Sequence, residues 1–131
     1  MLVLVLVLLI TAGCVGMERQ KILIDKRSDT GIYEDFKEIT KFKKVSAAKD
    51  ILHNAEWEEI IVDMAREADY QFIFQFVNPD TQAKAIPYSV WIGPDKDTIE
   101  VVEGGYQYVH LNKEDSSVLF EAITETKLID I

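Results

Sequence analysis

Residues 70–76 read Tyr-Gln-Phe-Ile-Phe-Gln-Phe. Aromatic rings fall on every second residue, with Gln71, Ile73 and Gln75 between them. Successive side chains of a strand point to opposite faces, so this is a β-strand with one fully aromatic face. Asn78-Pro79-Asp80 ends it with turn chemistry. A sheet face that apolar cannot stay in water. The rest of the chain has to supply both the neighbouring strands and a second layer to cover them.

The remaining segments can be assigned on the same grounds. The β-branched run in Gln20–Ser28 suits a strand, Asp29-Thr30-Gly31 is a turn, and Phe36–Ile39 continues as a short second strand. From Phe42, apolar residues recur at spacings of three and four (Val45, Ala48, Ile51, Leu52, Ala55). This is one helical face, with Thr40 as its N-cap and an end near His53-Asn54. Residues 56–68 fit either period. Tyr88–Ile92 and Thr98–Glu103 are strands, and Gly104-Gly105 allows a tight hairpin into Tyr106–Leu111. Asn112 caps a last helix whose apolar face is Val118, Leu119, Ala122 and Ile123, and Leu128–Ile131 suits a short edge strand. This order predicts an α+β fold: an antiparallel sheet of about four to five strands with two main helices packed on one face.

The first seventeen residues belong to a different class. Leu2–Ile10 is continuously apolar, no charge occurs before Glu18, and Thr11-Ala12-Gly13 leads into Cys14, the only cysteine. A secretory signal combines an apolar core of about 7–15 residues with small residues at the cut. With cysteine directly after Ala-Gly, the segment resembles the lipobox of bacterial lipoproteins. The resemblance implies cleavage before Cys14 and acylation of that residue. Thr11 stands where the lipobox usually has Leu. No basic residue precedes Leu2, as in a sequence that starts a few codons late. The alternative is an uncleaved anchor, for which Met1–Met17 is slightly short of the roughly 20 apolar residues that cross a bilayer. The expected organisation is therefore a signal peptide over 1–13, a lipid anchor and short tether over 14–19, and one domain over 20–131. Since one acyl chain holds a protein only marginally and two hold it stably, a lipoprotein cysteine implies a permanent tether to the membrane.

All the charge lies beyond the signal, and the formal net charge is −9. Such a domain repels nucleic-acid phosphates, so no nucleic-acid partner is expected. Nor would it adhere to an anionic membrane by its own surface. With Cys14 used for the anchor, no cysteine is left for a disulfide, and stability must come from the core.

Catalytic patterns are absent from the linear sequence: no Gly-x-Ser-x-Gly, no phosphate-cradling glycine loop, no Cys beside a His. His53 and His110 are too few for a zinc site without several carboxylates, and Asp95-Lys96-Asp97 lacks the further ligands of a calcium loop. No metal or cofactor is expected. Glu56, Glu58 and Glu59 around Trp57 read as solvated charges, and an enzyme working through Glu58 and Asp63 would need a deep pocket that shifts them. The aromatic residues carry more information. The Phe side chains suit the core. Trp57, Tyr88, Trp91, Tyr106 and Tyr108 form a candidate binding surface, because Trp and Tyr are enriched at interfaces.

The strand ending in Trp91-Ile92, the hairpin into Tyr106-Gln107-Tyr108-Val109-His110-Leu111, the capped helix over Ser116–Ile123, the Asp69-Tyr70 strand start and Leu52-His53-Asn54-Ala55 together resemble the YhfM-like domain of small lipoproteins from bacilli and related Gram-positive bacteria. The resemblance covers about residues 40–125 and brings no catalytic residues. It implies a lipid-anchored α+β domain on the extracytoplasmic face of the cell membrane. The expected function is a non-enzymatic binding or accessory module of the cell envelope, whose envelope partner or ligand the residues do not name. The alternative is an inhibitor-like or regulatory domain acting on an envelope enzyme.

Overall fold

The computed structural model describes residues 19–60, 63–81 and 84–131. Cys14 and the apolar run before it lie outside these residues, as do Ile61 and Val62 from the segment of ambiguous period. Among the described residues, seven strands form one antiparallel sheet, where four to five were expected. They are β1 (Gln20–Arg27), β2 (Tyr33–Ile39), β3 (Glu58–Glu59), β4 (Tyr70–Phe76), β5 (Tyr88–Ile92), β6 (Ile99–Glu103) and β7 (Gln107–His110), with helices α1 (Phe42–Asn54) and α2 (Lys113–Thr124). The strand order is β2-β1-β4-β5-β6-β7-β3.

Both edges differ from expectation: β3 was not foreseen, and β2 starts at Tyr33 rather than Phe36. β3 has only two residues, too few to show a period, and exists because Glu58 and Glu59 pair with Tyr108 and Gln107. β2 is longer than its visible pattern because the β1–β2 register shifts at Ile24/Asp25. Such a bulge places two residues opposite one and breaks the alternation a reader would follow.

The aromatic strand sits near the centre of the sheet. Tyr70 and Phe72 are buried, and they share a face with Ile22 and Ile24 of β1 and with Val90, Val101 and Val109 of β5–β7. Val45, Ala48 and Leu52 of α1, with Leu119, Phe120 and Ile123 of α2, close over that face into one core. Tyr70 packs edge-on against Phe120 at 5.6 Å. On α2 the buried aromatic is Phe120, while Val118 is exposed.

The caps also follow local chemistry. Asn112 Oδ1 accepts from the Asp115 amide at 2.8 Å, as expected of an N-cap. At α1 the capping position is Lys41, one residue after Thr40, and its carbonyl closes the first turn by accepting from the amides of Lys44 and Val45. Phe42, at the first helical position, is exposed rather than part of the buried face; side chains there tilt back past the helix start. Gly104 and Gly105 both hold positive φ. Because Glu103 pairs with Gln107, however, Tyr106 belongs to the turn and not to the strand. The C-terminal Leu128–Asp130 forms a 3₁₀ turn with Leu128 buried, in place of an edge strand.

The chain reaches β3 at one edge and must return to β4 near the middle. Of the described residues between them, Arg66–Asp69 lie against the sheet face opposite the helices. Trp91 on that face donates its Nε1 to the Arg66 carbonyl at 2.7 Å, and Arg66 donates in turn to the Ile92 carbonyl and to Asp69. Asp69 also accepts from the Ile92 amide at 2.8 Å, which locks the returning chain to β5. Among the described residues, no helix is long and apolar enough to cross a membrane.

Candidate functional site

The pairing register fixes which residues share the helix side of the sheet. Across β5, β6 and β7 the row Val90–Val101–Val109 lies under the helices and is buried. The next row is Tyr88–Glu103–Gln107. It has the same inward parity but holds two polar residues. Polar side chains at core-facing positions weaken a fold unless something uses them. This row lies beside the C-terminal end of α1, and there a cleft of about 670 Å³ opens, walled by Leu52 and His53 of α1, Trp57, Phe74, Tyr88 and Gln20.

Trp57 is held in the wall by a hydrogen bond from Nε1 to the Leu52 carbonyl at 2.8 Å. The last carbonyls of a helix have no partner within the helix, so the indole both satisfies one of them and is fixed by it. Tyr88 stacks on Phe72 with ring centroids 4.9 Å apart and planes at 8°. Phe74 meets it edge-on at 5.9 Å, and Trp57 lies 6.4 Å away at a tilt of 48°. Burial, and then the charge and hydrogen bond of Glu103, push the Tyr88 phenol up to about 12. It therefore stays protonated and donates to the Glu103 carboxylate.

The polar rim comes from three elements. Lys49, Asp50 and His53 project from α1, Glu103 and Gln107 from the β6–β7 hairpin, and Gln20 from the start of β1. Lys49 Nζ lies 5.6 Å from the Phe74 ring centre, within cation–π range. The Gln20 side-chain carbonyl is buried and has no hydrogen-bond partner among the described residues. A second recess of about 650 Å³ shares Gln20, Phe74 and Tyr88 with the cleft and continues it past Lys84 and Ile86.

The five aromatic residues singled out in the sequence thus divide into three places. Trp57 and Tyr88 meet in the cleft. Trp91 and Tyr108 lie on the opposite face of the sheet, where the Tyr108 hydroxyl donates to Glu100. Burial first, and then the hydrogen bond and charge of Glu100, push the Tyr108 phenol up to about 12. Tyr106 is exposed at the hairpin tip. The reading missed Gln20, Glu103 and Gln107. Their signal was present as polar residues at inward parity, but parity is known only once the strand partners are. Glu58 and Asp63 do not share a pocket: Glu58 faces Tyr108 across β3–β7, and both carboxylates are exposed. His110 Nε2 lies 3.1 Å from Thr98 Oγ1, away from the cleft. Among the described residues, no cluster of three or more His, Cys, Asp or Glu side chains could hold a metal ion.

No protein-family model, curated protein or solved structure matches this chain.

Proposed function

We propose that this chain is a lipid-anchored, extracytoplasmic binding or accessory module of a Gram-positive cell envelope. The observation that carries the proposal is the apolar run ending in Ala12-Gly13-Cys14, which resembles a signal peptide with a lipid-attachment cysteine. The first strand starts at Gln20, so the tether is short and the domain sits close to the bilayer. The net charge of −9 supports the same reading, because the domain would not hold itself on an anionic membrane. The likeness to YhfM-like lipoproteins supports it as well. The binding role rests on the Trp57–Tyr88 cleft, which joins aromatic walls to a few converging polar groups, the usual composition of a ligand site.

The experiment is Cys14→Ser in cells of a Gram-positive host. The wild-type chain is expected in the membrane fraction and the variant in the medium or soluble fraction. A variant that stays in the membrane fraction with unchanged mass contradicts lipidation. The binding role is tested with a photoreactive side chain in place of Asp50 on the cleft rim. Irradiation of intact membranes is expected to attach an envelope component there, and no adduct counts against a binding module.

A further inference from the structure

The geometry points to an oligosaccharide as the occupant of the Trp57–Tyr88 cleft, held with a sugar ring face on the aromatic wall and its hydroxyls on Gln20, Glu103 and Gln107. The inference rests on the reading of the chain as a binding module and names the chemistry of its ligand.

Three observations converge. First, Gln20, Glu103 and Gln107 all have inward parity, facing the helix side of the sheet, where the next inward positions of their strands are Ile22, Val101 and Val109. They are carboxamides and a carboxylate, groups that exchange hydrogen bonds with hydroxyls in both directions or accept from them. Second, the buried Gln20 carbonyl has no partner among the described residues. A buried acceptor left unpaired is costly, and a carboxamide that turns towards the cleft would exchange that cost for a hydrogen bond from a ligand hydroxyl. Third, the wall beside these groups is aromatic, from Trp57, Phe74 and Tyr88. A pyranose is built the same way, with C–H groups on its faces and hydroxyls on its perimeter. It can therefore cover the rings and reach the polar row in one pose.

Other ligand classes fit less well. The cleft floor is the interior face of the sheet, not a strand edge, so an extended peptide finds no backbone ladder to join. A purely apolar ligand would desolvate Gln107 and the lone pairs of Glu103 that Tyr88 does not engage, with nothing in exchange. Lys49 and Lys84 balance Asp50 and Glu103 along the groove, so it is the net charge of −9 over the whole chain that disfavours acidic sugars and favours neutral ones. The adjoining recess shares three wall residues with the cleft, so the combined groove has room for a chain of rings rather than a single one.

The test is a calorimetric titration of the full chain, held in a nonionic polyoxyethylene detergent that carries no sugar head group. The probes are two neutral tetrasaccharides, tetra-N-acetylchitotetraose and maltotetraose. Binding of at least one is expected, and which one tells whether the site prefers acetamido sugars or plain hexoses. Gln107→Ala and Trp57→Ala are each expected to weaken it about tenfold or more. Gln107→Ala also guards against a folding artefact, since its side chain lies on the cleft rim and its thermal midpoint should match the parent. Failure of both sugars to bind a chain with an unchanged melting transition overturns the carbohydrate inference. So does binding that Gln107→Ala and Trp57→Ala leave intact. A protein adduct at position 50 whose formation neither sugar suppresses also overturns it, while leaving the binding-module reading standing.

Discussion

The indole nitrogen of Trp57 donates to the carbonyl of Leu52 at 2.8 Å, so the ring that walls the cleft also closes the end of the helix beside it. Fold and site share this bond. Trp57→Phe keeps an aromatic ring but loses the donor. A lost hydrogen bond of this kind costs about 1 kcal/mol, and a thermal melt should show a midpoint lower by a few degrees. An unchanged midpoint would mean that the helix end is satisfied by water.

Ser116 is fully buried beneath α2. Its hydroxyl accepts from the Ile99 amide at 2.9 Å and donates to the Leu111 carbonyl at 3.2 Å, which ties the helix to β6 and to its own approach segment. Ser116→Ala leaves the Ile99 amide without a partner in a dry site. The expected loss is about 1–3 kcal/mol in a denaturant titration. Asn112→Ala removes the cap of the same helix and should cost about 1 kcal/mol.

The tyrosines give a pH signature. Tyr88 and Tyr108 are raised from 10.0 to about 12, each by burial first and then by a neighbouring glutamate. A phenol whose folded value lies above its unfolded one contributes stability that is complete below pH about 10 and is lost as pH rises towards about 12. Absorbance at alkaline pH should show these two ionising well above pH 10.0, towards about 12, and stability should fall through that window. Glu103→Gln should bring Tyr88 down part of the way, with burial keeping the rest of the shift.

On β1 and β2, Asp25 and Asp35 are direct partners beside the bulge. The Asp25 carboxyl is raised, by burial first and then by the charge and hydrogen bond of Asp35. Its contribution to stability is therefore present at low pH and lost as pH rises through its folded value. Asp35→Asn removes the charge and should lower the Asp25 titration midpoint towards the ordinary carboxylate value, as read by carbon NMR of the side chain.

Local chemistry predicted the centre of the molecule well. The alternation of Tyr70–Phe76, the Gly104-Gly105 turn and the Asn112 cap each depend on neighbours within a few residues, and each is where the pattern placed it. The edges were less legible. β3 owes its existence to Tyr108 and Gln107, about fifty residues away in the chain, and β2 is disguised by its bulge. The cleft was half legible. Trp57 and Tyr88 stand out as residue types, but only the register shows that they meet, and that Trp91 and Tyr108 face the other way. Gln20, Glu103 and Gln107 look like ordinary surface residues until the strand partners set their parity.

The account turns on Cys14. The most direct measurement is the intact mass of the protein extracted from membranes of a producing Gram-positive cell. The expected species begins at Cys14 and carries the added mass of at least two acyl chains. A species that retains Met1–Gly13 and carries no lipid mass would contradict it.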